Sequence, residues 1–189
     1  MDGGRDFLAN RGVVLAEGPP GGSADAETVH GVGNRKNEAL LGMIEQDGVE
    51  VFEGSRRYLH AARAAGLWRA VVSYSANTAQ VLEVTGLADY IESRVDGRTL
   101  GTEGLRGKPA PDSFLAGARA LGVDPAQAAV FEDALAGVEA GRAGRFGYVV
   151  GVDRGGHADA LRFSRSPTGI SGCAATSTKV SRTVSPAPT

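Results

Sequence analysis

The chain has 189 residues, of which 42% are hydrophobic and 22% charged, and its formal net charge is -2. These values are typical of a globular protein with one ordinary domain, or one domain and part of a smaller one, rather than of a disordered or membrane chain. There is no clustered basic excess, so we expect no nucleic-acid partner, and no apolar run is long enough to span a bilayer. Cys173 is the single cysteine, so no internal disulfide can form, and the lack of a secretory signal favours a cytoplasmic location.

The sequence pattern of residues 1–48 predicts helices and no strand. A short helix is predicted around Asp6 to Asn10 and a longer one from about Asn34 to Gln46, on either side of the Gly/Pro-rich stretch Gly18 to Gly22. We interpret this region as a partial helical cap beside a sheet.

From residue 49 onward, helix-like segments ended by glycine alternate with short β-branched runs. Helices are predicted over residues 56–65, 78–85, from 111, and 135–143, and strands over 70–73, 91–95, 128–131 and 148–152. This alternation predicts βαβ units, and therefore a doubly wound, Rossmann-like α/β core with a parallel sheet, over residues 49–162. Residues 163–189 are Ser/Thr-rich and contain no acidic residue, so we predict a disordered tail there.

Polar residues gather at the ends of the predicted strands. They are Ser73, Tyr74, Ser75, Asn77, Lys108, Glu132 and Asp133. Because ligands of open parallel sheets bind outside the carboxyl ends of the strands, we expect these residues to converge on one edge.

Each residue type at this edge suits a phosphate. Hydroxyl groups and the backbone N–H groups at a helix start can hold phosphoryl oxygens, a lysine neutralises their charge, and an aspartate at a strand end can hold Mg²⁺. Taken singly, a serine after a strand is more often a cap, and so is a Glu-Asp pair before a helix. The order of Ser73, Lys108 and Glu132-Asp133 on successive β–α units is more specific than any one of them.

Three segments carry a resemblance to a known family. They are VVSYSANTAQVLEVTGL (71–87), GKPAPDSFLAGARALGVDP (107–125) and VFEDALAGVEAGRAG (130–144). Together with VVGVDR (149–154) they resemble the haloacid dehalogenase-like (HAD) superfamily, and within it the β-phosphoglucomutase-like group, over roughly residues 27–154. The combination of GKPAPD with FEDALAGVEA is highly specific.

The resemblance implies roles for the residues at the sheet edge. Ser73 matches the serine of the family's second motif, which binds the transferring phosphoryl group, with the Tyr74 N–H beside it. Lys108 matches the third-motif lysine that stabilises the nucleophile and the phosphoryl charge. Asp133 and Glu132 match the acidic fourth motif, which implies that Asp133 binds Mg²⁺ and that Glu132 binds the metal or pairs with Lys108.

Three further residues have implied ligand contacts. Ser75 and Asn77 match positions that contact substrate or phosphate in mutase-like members. Arg35 matches the cap arginine that grips a second, distal phosphate, for which a planar guanidinium is better suited than Lys36; a solvated helix face is the alternative.

The family's first motif, a hydrophobic strand ending in Asp-x-Asp-Gly, has no match in this sequence. The first aspartate of that motif is the nucleophile and the second the acid/base. Met1-Asp2-Gly3 resembles only the end of the motif. We therefore expect a core without its nucleophile strand, belonging to a fragment or to one piece of a longer protein, with a shifted reading frame as one origin of the tail. Unpaired sheet edges beside the gap could then support self- or hetero-association.

The resemblance implies a phosphohydrolase or phosphomutase that acts on a small sugar phosphate through an aspartyl-phosphate with Mg²⁺. Hydrolysis and β-phosphoglucomutase-like isomerisation both stay open, with trehalose-phosphate phosphatase-like activity as a third. We expect activity to be impaired because the nucleophile is absent. The alternative is a non-catalytic remnant that binds phosphate or another protein.

Overall fold

The computed structural model describes residues 2–153 and 182–186. The chain divides into two compact units, Met1–Val49 and Glu50–Thr189, so the division lies one residue from the predicted end of the cap at residue 48. No helix in the described part of the chain has the length and apolar character needed to cross a membrane.

The first unit contains two helices, α1 (Asp2–Ala9) and α2 (Val29–Asp47). α2 begins five residues before the predicted Asn34 because Thr28 caps it: the Thr28 hydroxyl accepts a hydrogen bond of 2.9 Å from the Gly31 N–H. Its end at Gly48 is a positive-φ position that suits glycine. The β-structure described in this unit is one isolated bridge between Ala16 and Thr28, in keeping with the predicted helical region.

The second unit is built on one sheet. Its strands are β1 (Leu67–Val72), β2 (Ser93–Val95), β3 (Ala129–Glu132), β4 (Tyr148–Gly151) and β5 (Arg182–Pro186). Their order across the sheet is β2-β1-β5-β3-β4. β1 pairs parallel to β2, and β3 pairs parallel to β4, as the βαβ pattern predicted.

Within the described residues of this unit, five α-helices connect and cover the strands. They are α3 (Glu53–Ala64), α4 (Thr78–Val84), α5 (Gly97–Glu103), α6 (Asp112–Ala120) and α7 (Leu135–Ala143). One core cluster joins Val72 of β1 to Phe114 of α6 and Ala140 of α7, whereas a second joins Val71 to Leu59 of α3. Because neighbouring residues of a strand point to opposite faces, the helices lie on both sides of the sheet.

β5 corrects three expectations. The predicted disordered tail is wrong at residues 182–186, which form this strand; the other tail residues lie outside the described ranges. β5 runs antiparallel between β1 and β3, with Arg182 opposite both Val71 and Phe131, so the sheet is not wholly parallel. The inner edges of β1 and β3, which we expected to be unpaired, are therefore paired. Backbone groups need partners whatever the side chains, and a polar segment satisfies them as an antiparallel strand.

A buried ion pair that the sequence pattern did not predict ties β1 to the segment before β2. The Arg69 side chain, only 4% exposed, pairs with Glu92 and donates a hydrogen bond of 2.6 Å to the Tyr90 carbonyl. The Arg69 backbone N–H donates to the same carboxylate at 2.7 Å. This cluster fixes the start of β2 against β1 and so holds the two strand ends in register.

Candidate active site

Residues 73–77, which we call the serine loop, leave the carboxyl end of β1 and lead into α4. The Ser73 N–H donates to the Val95 carbonyl at 2.9 Å, which continues the pairing of β1 with β2. The Ser73 hydroxyl accepts from the Ser75 N–H, and the Ser75 hydroxyl accepts from the Asn77 N–H, each at 3.2 Å. These local bonds fold the loop tightly, so both half-buried hydroxyls lie at the sheet edge.

The turn after β2 packs closely against the backbone of the serine loop. A β-carbon on Gly97 would lie 2.5 Å from the Tyr74 carbonyl oxygen, so only glycine permits this approach. The neighbouring Asp96 carboxylate caps α5 by accepting from Arg98 N–H at 3.0 Å and Thr99 N–H at 3.1 Å. Burial alone would raise the pKa of Asp96, but the hydrogen bonds from Thr99, Arg94 and Arg98 outweigh burial and lower this pKa. This support was not predicted, although an aspartate at the end of a predicted strand is a candidate helix N-cap.

Lys108 lies in the segment 105–111, which we call the lysine loop. Its backbone N–H donates to the Tyr74 hydroxyl, and its Nζ lies 2.8 Å from Glu132 Oε2. Nζ also lies 4.8 Å from the centroid of the Phe114 ring and 5.4 Å from that of Tyr74. The ammonium group is thus held by one carboxylate and two aromatic faces. The Lys108-Pro109 peptide bond is cis.

The acidic pair Glu132-Asp133 marks the carboxyl end of β3. Glu132 is the last residue of the strand and is 3% exposed, and its carbonyl accepts from the Val152 N–H at 2.8 Å. Asp133 follows it with an exposed side chain. The resemblance left two roles open for Glu132, metal binding and pairing with Lys108. Of these, the structure shows the pairing with Lys108.

Arg106 and Asp112 close the lysine loop at its two ends. Arg106 donates to the Asp112 carboxylate through Nε at 2.9 Å, through Nη2 at 2.8 Å and through its backbone N–H at 3.1 Å. These bonds to Arg106 lower the pKa of Asp112 to about 2. Because Asp112 is also the first residue of α6, the fork joins the loop to a helix start. Sequence reasoning did not single out either residue.

The candidate site offers few carboxylate oxygens that could bind Mg²⁺. Within residues 2–153 and 182–186 there is no group of three or more His, Cys, Asp or Glu side chains placed to hold a metal. Mg²⁺ nevertheless binds through one or two carboxylates together with water and substrate phosphate. The exposed Asp133 meets that requirement as a single ligand, whereas Glu132 is engaged by Lys108.

The predicted site residues therefore fall into two groups. Hydrogen bonds link Ser73, Ser75 and Asn77 within one loop, and Tyr74 and Glu132 each contact Lys108. Arg35 lies in the first unit, with an exposed side chain on α2.

Solved structures share this fold. A β-phosphoglucomutase from Clostridium difficile matches with a TM-score of 0.59 at 24% identity, covering 69% of this chain and 56% of that one. A HAD family hydrolase from Deinococcus radiodurans, solved with bound phosphate and sodium, matches with a TM-score of 0.58 at 28% identity. The second match covers 95% of this chain and 71% of the Deinococcus chain. The α/β HAD-like fold is thus confirmed.

Sequence comparison agrees with the fold. A β-phosphoglucomutase from Mycobacterium tuberculosis is 57% identical over 157 residues, which are 83% of this chain and 60% of the relative. This chain therefore spans about 60% of the length of that relative. The profile of the haloacid dehalogenase-like hydrolases matches residues 1–145. The chain belongs to the haloacid dehalogenase-like hydrolase family.

Proposed function

We propose that this chain carries the phosphate-binding part of a Mg²⁺-dependent phosphohydrolase or phosphomutase for a small sugar phosphate. The buried ion pair of Lys108 and Glu132, joined to the serine loop through Tyr74, is the observation that carries the proposal. A lysine held this firmly at the carboxyl edge of a sheet is preorganised to receive an anion, because little side-chain freedom is lost on binding.

Each residue at the edge has a distinct task in this proposal. Ser73 and the Tyr74 N–H bind phosphoryl oxygens, with Ser75 and Asn77 contacting substrate or phosphate beside them. Lys108 neutralises phosphoryl charge and is kept in place by Glu132. Asp133 holds Mg²⁺, with Glu132 as a further ligand if its bond to Lys108 loosens. When bound, Mg²⁺ would stabilise the negative charge on the phosphoryl oxygens.

Arg35 would grip a second phosphate of the substrate, which favours a mutase or a bisphosphate ligand. The names of the relatives support this direction, since the Mycobacterium and Clostridium proteins are both β-phosphoglucomutases. The Deinococcus relative was solved with bound phosphate, which supports a phosphate ligand for a protein of this fold.

The alternative function is phosphate binding or protein interaction without turnover. It is favoured by one feature, the lack of an Asp-x-Asp-Gly sequence in the chain. In the structure Asp2 begins α1, so it does not follow a strand as the nucleophile motif would. We therefore expect the aspartyl-phosphate step to be impaired in this chain.

An assay of the purified chain with Mg²⁺ and a panel of sugar phosphates tests the proposal. Turnover by the wild type that is lost in Asp133→Ala, and retained in the exposed-site control Asp89→Ala, would support a phosphohydrolase or phosphomutase. Thermal stabilisation by inorganic phosphate without turnover, lost in Ser73→Ala, would support the binding alternative. A wild type that shows neither turnover nor phosphate stabilisation would contradict the proposal and the phosphate-binding alternative, and would leave protein interaction as the remaining function.

A further inference from the structure

We propose that Tyr74 is a positioning residue for Lys108: its side chain latches the lysine loop to the serine loop and sets the place of the lysine ammonium group. The claim for phosphate binding rests on the proposed function, whereas the claim that Tyr74 holds Lys108 does not.

Tyr74 contacts Lys108 at two separate points. Its hydroxyl accepts the hydrogen bond from the Lys108 backbone N–H, and its ring lies 5.4 Å from Nζ of the same residue. The tyrosine is nonetheless 44% exposed, so burial in a core does not explain its orientation. Contacts to one partner at both backbone and side chain are what a latch requires.

The surroundings fix both halves of the latch. On the serine-loop side, Gly97 lets the Tyr74 backbone approach so closely that a β-carbon there would lie 2.5 Å from the Tyr74 carbonyl oxygen. On the other side, the fork between Arg106 and Asp112 ties together the ends of the lysine loop.

The close approach at Gly97 and the fork between Arg106 and Asp112 both act outside Lys108, the tip of the lysine loop, whereas Phe114 and Glu132 contact only the side chain of that lysine. The fully buried Phe114 anchors α6 and places its ring 4.8 Å from Lys108 Nζ. Within the described residues, the Tyr74 hydroxyl is the group that receives the Lys108 N–H at that tip. Removal of this hydroxyl should therefore free the tip without loosening either end.

Lysine acylation measures this freedom directly. Limiting acetic anhydride is applied to the full chain, and mass spectrometry gives the rate at Lys108 relative to Lys36, an exposed residue of α2. In Tyr74→Phe the ring stays and only the hydroxyl is lost. Loss of one net hydrogen bond should raise the Lys108 rate about 3- to 10-fold. Tyr148→Phe removes a hydroxyl from a tyrosine that is 64% exposed, and should leave the ratio unchanged.

The affinity for phosphate shows whether Tyr74 positions Lys108 for binding or only packs against it. Titration with inorganic phosphate and Mg²⁺ should give an affinity about 3- to 10-fold weaker in Tyr74→Phe than in wild type or Tyr148→Phe, with Tm lowered only by the few degrees that one net hydrogen bond accounts for. Faster acylation with unchanged phosphate affinity would overturn the positioning role. An unchanged acylation ratio, or a Tm lowered by much more than one hydrogen bond explains, would also overturn it.

If the wild type binds no phosphate, the proposed function fails by itself. The acylation ratio then still decides whether Tyr74 holds Lys108, so failure of the latch and failure of the function give different results.

Discussion

Gly137 leaves the space that the Glu132 carboxylate occupies. A β-carbon at Gly137 would lie 2.1 Å from Glu132 Cγ and 2.2 Å from its Cδ, distances that no packed structure tolerates. Glu132 is in turn the partner of Lys108 at 2.8 Å. A glycine near the start of α7 therefore makes room for the Glu132 carboxylate, which in turn holds the ammonium group of Lys108.

Gly137→Ala should destabilise the fold by about 2 kcal/mol, because forcing extra volume into a packed site costs more than the helix propensity of alanine gains. Gly101→Ala is the matched control, since Gly101 lies inside α5 with nothing within 4 Å of its added β-carbon. That control should stabilise the fold by about 0.5 to 1 kcal/mol. Urea unfolding measures both changes, and equal effects of the two substitutions would contradict the steric explanation.

Removal of Lys108 should cost more than removal of the whole ion pair. Lys108→Met removes the ion-pair partner of the Glu132 carboxylate, which is 3% exposed, and we expect a loss of about 3 kcal/mol. Adding Glu132→Gln removes that charge, so the double variant should be more stable than the sum of the single variants by about 1 kcal/mol or more. A double-mutant cycle in urea gives this coupling free energy, and strict additivity would show that the pair does not interact.

The fork between Arg106 and Asp112 should make stability depend on acidic pH. The pKa of Asp112 is lowered to about 2, against an ordinary value of about 4 in the unfolded chain. Its contribution is therefore fully present above about pH 4 and is lost as the pH falls toward 2.

The comparison of wild type with Asp112→Asn isolates this effect. The difference in urea midpoint should be largest above pH 5, should be small near pH 2 and should vanish below it, since the protonated acid resembles the amide. Glu103→Gln, at the exposed end of α5, serves as the control. A difference that stays constant from pH 7 to pH 2 would rule out the fork as its cause.

Two buried hydroxyls should respond to removal with opposite signs. The Ser113 hydroxyl is fully buried and has no hydrogen-bond partner among the described residues. Ser113→Ala should therefore stabilise α6 by about 0.5 kcal/mol, through relief of an unsatisfied group and better helix propensity. Thr78→Val, by contrast, removes a bond of 2.7 Å to the Ser75 carbonyl and should cost about 1 kcal/mol. Thermal unfolding of both variants checks these signs, and destabilisation by Ser113→Ala would point to a satisfied hydroxyl.

Most elements of the second unit were predictable because their signals are local. Glycines after α3 and α4 indicate helix ends without knowledge of the fold. Short apolar runs rich in β-branched residues, such as residues 70–72, likewise indicate strands. α5 was not predicted, because Gly97–Glu103 contains two glycines and little apolar periodicity. Its cap Asp96 and its packing against the serine loop stabilise it instead.

The sequence by itself determined the family, the α/β class and the identity of the polar residues at the strand ends. These properties follow from the order of residues along the chain. Only the tertiary structure showed that Tyr74 contacts Lys108, 34 positions away. It also showed the pairing of Lys108 with Glu132, 24 positions away, which the resemblance had given as one of two roles for Glu132. It also decided that β5 fills the centre of the sheet, since residues 182–186 lie in a Ser/Thr-rich stretch and lack the apolar run that predicted the other strands. Contacts between distant segments depend on how the chain packs, and that packing is a property of the whole fold.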